Sequence, residues 1–228
     1  MMFSEFRTRS LETERLDRGE FTRDEYLRWQ KEMWFIHRMF GETRALKRAL
    51  ISDVSAEKLG KLSILDVGAG SGTLLTYLKN KLPGSDLNSI GLEMSPESAR
   101  GIADEGHLAV QGNALVLPFA DKSIDYVFCT LFLHHLNDSA AMKLLLEMRR
   151  VARRKLIVID LERNALSYIT FKLLGTLLLQ RFTRDDGSLS IKRSFRPTEL
   201  KTLAQSSGLE NLKIERSAIG RLILTADG

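Results

Sequence analysis

The rhythm of apolar and polar positions changes near residue 61. Before it the spacing is helical. Tyr26, Trp29, Met33, Ile36 and Phe40 recur at intervals of three and four, so they share one helix face. Thr22-Arg-Asp-Glu25 ahead of them is a capping box, which predicts the helix start. The stripe reads either as core or as an aromatic-lined lid over a ligand. Beyond residue 61, short apolar runs alternate with helical stretches. Ser63–Val67, Ser89–Glu93, Leu108–Gln111, Asp125–Thr130 and Leu156–Asp160 read as strands. The first, fourth and fifth are nearly continuous apolar runs, as in parallel strands covered on both faces. Helices fit at Thr73–Lys81, Pro96–Glu105 and Ser139–Arg153, with Ser95 as N-cap and Pro96 at the first helical position. The alternation breaks over residues 163–192, which hold an apolar helix candidate and then turn chemistry at Thr183-Arg-Asp-Asp-Gly-Ser188. Pro197 opens another helix ending near Gly208, and Leu212–Arg216 and Arg221–Thr225 predict a terminal hairpin. The pattern implies an α/β fold: a seven-stranded, mostly parallel sheet with helices on both faces and an antiparallel C-terminal hairpin strand. The expected organisation is a helical cap over 1–60 and a main domain over 61–228, with a helical insertion at about 163–192.

Composition narrows the class without naming a function. The 228 residues are 43% hydrophobic and 28% charged, an ordinary globular mixture sized for one decorated domain. The net charge of +5 permits an anionic partner, but acids and bases alternate along most of the chain. The dense basic run Arg149–Lys155 falls at a predicted helix end, where cations complement the dipole. The single Cys129 forms no internal disulfide and fits a reducing compartment. The first twenty residues lack the apolar stretch of a secretory signal. The nearest candidate for a membrane span, Ala165–Phe182, is short and interrupted by Lys172. A cytoplasmic protein is expected.

The chemistry concentrates in Ile64-Leu-Asp-Val-Gly-Ala-Gly-Ser-Gly72, an apolar strand running into three alternate glycines and then a helix. One glycine suffices for a turn; three suggest clearance for a ligand against the backbone. The dinucleotide spacing G-x-G-x-x-G fails, because position 73 is Thr73, and no lysine succeeds Gly72 as a P-loop requires. Beyond the loop, several stretches occur in a specific order: Glu93 ending the second strand, Asn113-Ala-Leu-Val-Leu-Pro-Phe119, Ser123-Ile-Asp-Tyr-Val-Phe128 and Leu133-His-His-Leu136. With Asp66 and Gly68-Ala-Gly70-Ser-Gly72, these stretches resemble the class I S-adenosylmethionine (SAM)-dependent methyltransferases. The likeness is to their small-molecule, ubiquinone/menaquinone-type (methyltransferase type 11-like) branch, and implies a Rossmann-like fold. It covers residues 62–161, with a looser similarity in Pro197–Thr225.

The resemblance implies SAM as cofactor, S-adenosylhomocysteine as product, and a set of roles. Glu93 would accept two hydrogen bonds from the ribose hydroxyls, as an acceptor-only carboxylate can. Met94 would pack on the adenine, with Asn113 and Ala114 at its edge; the family usually carries aspartate at position 113. Asp66 would orient the loop or reach the methionine amino group through water. Gly68, Ala69, Gly70 and Gly72 would form the backbone cradle, and Thr130 and Leu131 would flank the sulfonium. His135 or His134, at the rim after the fourth strand, is the candidate general base for a phenol or enol. Neither histidine is at helical ligand spacing and no Cys/His cluster occurs, so no metal is expected. Tyr26, Trp29, Met33 and Leu173 are candidate contacts for a hydrophobic acceptor, with transfer to oxygen or carbon. The Asn/Asp-Pro-Pro-aromatic motif of amino-methylating nucleic-acid enzymes is absent after the fourth strand, so nucleic acid is not the expected partner. RNA methylation and a non-catalytic SAM-fold binder are the alternatives. Peripheral membrane contact, and a monomer or homodimer, stay open.

Overall fold

The computed structural model describes residues 4–57, 61–83, 86–217 and 220–228. Residues 1–3, part of the stretch read for a secretory signal, and residue 60, the expected end of the cap, lie outside the described residues.

Among the described residues, β1 (Lys61–Val67), β2 (Asp86–Glu93), β3 (Leu108–Gln111), β4 (Ile124–Thr130), β5 (Ala152–Leu161), β6 (Lys213–Arg216) and β7 (Arg221–Asp227) form one sheet, ordered β3-β2-β1-β4-β5-β7-β6. Strands β1 to β5 pair in parallel, and β7 runs antiparallel to both β5 and β6. The order turns around at β1, with β2 on one side and β4 on the other. The carboxyl ends of β1 and β4 therefore flank a switch point, where open α/β sheets bind their ligands.

The helices are α1 (Arg15–Arg18), α2 (Arg23–Met39), α3 (Glu42–Leu46), α4 (Ser52–Glu57), α5 (Thr73–Lys81), α6 (Pro96–Asp104), α7 (Asp138–Val151), α8 (Ala165–Leu178), α9 (Arg181–Arg193) and α10 (Pro197–Ser206). Two apolar cores sandwich the sheet because side chains alternate along each strand. On β4, Val127 and Cys129 face the core shared with α7 and α10, and Tyr126 and Phe128 face the core shared with α5. Ala45, Leu46, Leu50, Ile51 and Val54 join that second core. Residues 42–57 thus belong to the sheet's own helix layer. A third core packs α2 against α8 and α9 through Ile36, Phe40, Phe171 and Ile191, above the strand ends.

The insertion departs from the sequence expectation. Thr183–Ser188 is no turn but the middle of α9. The chain reverses instead at Leu179 and Gln180, both extended. Packing overrides the turn propensity. A Cβ on Gly187 would lie 2.4 Å from Phe171 Cζ, so glycine here is what lets the aromatic ring seat on α9. Asp186 is committed to α1, accepting from the Arg15 and Leu16 amides at 3.0 and 2.9 Å. The basic run is consumed by neighbours: Arg149 pairs with Glu210, Arg150 with Glu147 and Asp121, Arg153 and Arg154 with Asp125, and Lys155 with Asp53. Among the described residues, no helix is long and apolar enough to cross a membrane.

A buried ion pair fastens α3 to the sheet. Arg221 Nε on β7 donates to Glu42 Oε1 at 2.5 Å, and both side chains are at most 4% exposed. Removing one partner leaves a buried charge uncompensated. Glu42→Ala is expected to cost about 3–5 kcal/mol in urea unfolding. A loss below about 1 kcal/mol would mean that water replaces the carboxylate at Arg221.

Candidate active site

Strand β1 ends at Val67 and runs into the glycine loop, where Gly68, Gly70 and Gly72 take φ of +76°, +58° and +78°. The first two glycines serve different ends. A Cβ on Gly68 would meet the Phe132 ring at 2.8 Å, whereas one on Gly70 would meet nothing within 4 Å and would project into open space. At the neighbouring strand end, Glu93 reaches back across the loop. Its Oε1 accepts from the Gly70 amide at 2.7 Å, and its Oε2 accepts from the Met94 amide at 3.1 Å. Asp66, one residue inside β1, is 1% exposed, and its Oδ1 has no hydrogen-bond partner. Burial, with the nearby charge of Glu93, pushes the Asp66 carboxyl well above the usual carboxylate range. Burial also raises Glu93, against the pull of the Gly70 and Met94 amides. An orphaned acid and a raised acid beside an open glycine cradle fit a ligand that brings a cation and hydroxyl donors.

The loop, Glu93, Met94, Thr130 and Leu131 form one wall of a cleft of about 700 Å³, and Tyr26, Trp29 and Met33 of α2 form the other. Gly68, Ala69, Gly70 and His135 complete the anticipated residues that reach it. Others stand back. Gly72 caps the start of α5. Asn113 uses its Oδ1 to accept from the Leu115 amide at 2.9 Å, closing the turn after β3, and Ala114 is buried in the core. Leu173 lines none of the cavities at the strand ends. It lies on the outer face of α8, 66% exposed, because Phe171 and Gly175 form the inner one. The sequence reading missed Leu16, Asp17, His37 and Phe132 on the cleft wall. The residues around α1 carry no periodicity that would have flagged them.

After β4 the chain bends sharply, with Leu131 at φ +49°, into the short turn Leu133–His135. The turn is pinned from two sides. Asp160, at the end of β5, accepts from the His134 amide at 2.9 Å and from the Leu161 amide at 2.7 Å, and lies 2.6 Å from His134 Nδ1. Burial alone would raise Asp160, but the His134 contacts and the two amides hold it below its usual value. From α9, Arg193 donates to the carbonyls of His134, His135 and Glu12 at 3.3, 2.7 and 2.9 Å. His135 Nδ1 lies 3.0 Å from Asp17 Oδ2. Against the upward push of burial, His135 and Arg193 hold Asp17 low. Both rings thus set Nδ1 against a carboxylate, which only accepts, so Nδ1 carries a hydrogen and Nε2 is the nitrogen left facing Glu14. Glu14 faces both Nε2 atoms, 3.7 Å from His134 and 4.0 Å from His135, and accepts from the Ser190 hydroxyl at 2.9 Å. A smaller cavity of about 90 Å³ opens beside these groups, lined also by Ile36, Leu161 and Phe171. It shares Trp29, Met33, Leu131 and His135 with the larger cleft.

Residues 65–159 match the family model described as a methyltransferase domain. The demethylmenaquinone methyltransferase of Roseiflexus sp. (strain RS-1) is 37% identical over 93 residues, which are 39% of this chain and only about a third (37%) of that relative's length. The ubiquinone/menaquinone biosynthesis C-methyltransferase UbiE of Klebsiella pneumoniae subsp. pneumoniae is 29% identical over 198 residues, covering 76% of this chain and 75% of that one. Among solved structures, a SAM-dependent methyltransferase of Thermotoga maritima superposes with a TM-score of 0.61 at 20% identity, over 90% of this chain and 94% of that one. The magnesium protoporphyrin IX methyltransferase of Synechocystis PCC 6803, solved with bound SAH, gives 0.56 at 16% identity, over 82% and 83%. At these identities the structural likeness is one of fold.

Glu14 is 3% exposed, and burial pushes its carboxyl up to about 7 from an ordinary 4.5, against the pull of His135, Ser190 and Arg193. Asp17 adds to the upward push, and His134 and Asp186 complete the surroundings. Between those two values the folded chain holds a proton that the unfolded chain has released. Stability carried by Glu14 therefore falls as pH rises through this window. Denaturation midpoints across it are expected to decline for the wild-type chain. In Glu14→Gln the decline should flatten, with a gain of about 1–3 kcal/mol at pH 8. An identical slope in the variant would show that Glu14 is ionised throughout.

Proposed function

We propose that the chain is a class I SAM-dependent methyltransferase that moves a methyl group to oxygen or carbon of a hydrophobic small molecule, phenolic, polyketide or quinone-like. The observation that carries this reading is the shared wall of the two cavities. Leu131 and His135, at the end of β4, border both the large cleft and the smaller cavity under α2. An acceptor held in the second thus meets a methyl donor held in the first. Demethylmenaquinone and ubiquinone/menaquinone-precursor methylation, named for two of the relatives, are chemistries of the same class.

In this reading the cofactor supplies an activated methyl group on a sulfonium. Glu93 trades its contacts with the Gly70 and Met94 amides for the ribose hydroxyls, or shares its oxygens among them. Asp66 answers the methionine ammonium directly or through water, which satisfies its lone oxygen. Gly68 and Gly70, on either side of Ala69, present backbone without side chains, Gly72 starts the helix behind them, and Met94 covers the adenine. Asn113 and Ala114 shape the adenine end from behind through the turn they form. Thr130 and Leu131 flank the sulfonium. Trp29 and Met33, which line both cavities, hold the acceptor with Tyr26 beside them in the larger cleft, and their apolar surface excludes water. The chain's main contribution to rate is then position and orientation.

His135 is the preferred general base, since it borders the cleft and Asp17 leaves its Nε2 free. His134, 2% exposed and bound to Asp160, positions the turn and is the second candidate. A reducing cytosol suits the free, buried Cys129. The ion pairs that absorb Arg149–Lys155 leave that run as poor support for a nucleic-acid acceptor.

Glu93→Ala is expected to weaken SAM binding by at least about tenfold in calorimetry, the loss of one or two charge-assisted hydrogen bonds. Unchanged affinity in a folded variant would move the cofactor elsewhere. With a long-chain alkylphenol as acceptor, His135→Ala is expected to lower kcat about 10²–10⁴-fold at unchanged SAM affinity. A loss confined to His134→Ala would transfer the base to His134.

A further inference from the structure

Glu14, His134 and His135 are drawn together from distant parts of the chain, each offering one ligand atom within 4.8 Å of the others. The separations between Glu14 and the two Nε2 atoms, 3.7 and 4.0 Å, are too long for hydrogen bonds. They are a few tenths of an ångström wider than the roughly 3.4 Å between ligand atoms bound tetrahedrally at about 2.0–2.2 Å. The ligand atoms of the three groups lie within 4.8 Å of one another, and Glu14 bonds neither ring.

The surroundings match what orients metal ligands. An imidazole that binds a metal through one nitrogen usually donates its other N–H to a carboxylate or carbonyl, which fixes its tautomer. Both rings do so here through Nδ1, to Asp160 at 2.6 Å and to Asp17 at 3.0 Å. Glu14 is steadied by the Ser190 hydroxyl. The charge balance points the same way. Four carboxylates, those of Glu14, Asp17, Asp160 and Asp186, bound or border the cluster against the guanidinium groups of Arg193 and, on the cavity wall, of Arg221, which is paired with Glu42. Arg193 Nε comes within 3.8 Å of Glu14 Oε1 and disfavours a second cation. Its N–H groups, however, are turned to the carbonyls of Glu12, His134 and His135.

We infer that Glu14, His134 and His135 form a binding site for one divalent transition-metal ion of the zinc class, with its fourth position open to the smaller cavity. Two imidazoles and one carboxylate suit zinc, and two nitrogen donors argue against magnesium or calcium. Three protein ligands with one open position are the pattern of sites where a water or a substrate oxygen completes the shell. The inference rests on the proposed function only for what fills that position, an ionisable acceptor oxygen. An ion there would take up both Nε2 lone pairs, so acidifying that oxygen passes from imidazole to metal. Ion and ring protons compete for the same atoms. Adjacent histidines gave no ligand spacing in the sequence because the third ligand lies 120 positions away in the N-terminal segment.

The test is titration of the full-length, chelator-stripped protein with Co²⁺ and Zn²⁺ near neutral pH. The expected result is one ion per chain, proton release, and a visible Co²⁺ spectrum of four-coordinate type. X-ray absorption should give two imidazole nitrogens and a carboxylate oxygen in the first shell. Glu14→Gln should weaken binding at least tenfold and Asp160→Asn by about 10–100-fold. His107→Ala should leave it unchanged, since that ring is engaged by Ser89 and Thr76 elsewhere. No stoichiometric binding by the wild-type chain at 100-fold excess of Zn²⁺ would overturn the site, as would Zn²⁺ binding untouched by Glu14→Gln. The wild-type spectra decide the matter if Asp160→Asn fails to fold. SAM affinity is measured on the same samples. SAM binding without metal binding rejects the ion site alone, and metal binding without SAM binding rejects the cofactor site alone.

Discussion

The turn after β4 carries more of this molecule than its three residues suggest. Leu133–His135 sits where the sheet, the insertion and the N-terminal segment meet, and buried charges fix it there. Asp160 collects two amides and a ring nitrogen beneath it. Arg193 collects carbonyls from the turn and from Glu12 above it. Buried charges are tolerated only when partnered this completely. The geometry of both imidazoles results, and so does the path of residues 12–17, which would otherwise have no reason to lie over the strand ends.

The glycine-loop side works by the opposite principle. Around the turn nearly every polar atom has a partner, whereas the glycine loop keeps groups in reserve. Asp66 is buried with an unpartnered oxygen, Glu93 is raised by burial, and Gly70 faces open space. These features cost stability in the isolated chain. They become favourable only against a ligand bringing a cation and hydroxyls, which is the sense in which the cleft is preorganised.

The parts of the fold with strict local rules were legible. Strand β3 and helix α5 have the limits that the pattern predicted, and for the helix a glycine-to-threonine start leaves little choice. The capping box at Thr22 and Glu25 makes both of its hydrogen bonds. The insertion was misread at Thr183–Ser188, where turn residues are recruited for tertiary work: Gly187 admits the Phe171 ring and Asp186 caps α1. The aromatic stripe on α2 resolved into both of its readings, with Tyr26 at the cleft and Phe40 in the core. Within the candidate site, sequence order located the loop, Glu93 and the histidines. Glu14 and Asp17 were invisible to it, because they act through contacts with residues far away in the chain and leave no spacing to count.

The acceptor reading joins these two halves across Leu131 and His135. It is tested most directly by incubating the chain with methyl-labelled SAM and an extract of the source cells, then tracing the label. The account predicts label in an organic-soluble small molecule, with a mass gain of one methyl group on oxygen or carbon. Label confined to RNA or protein would contradict it.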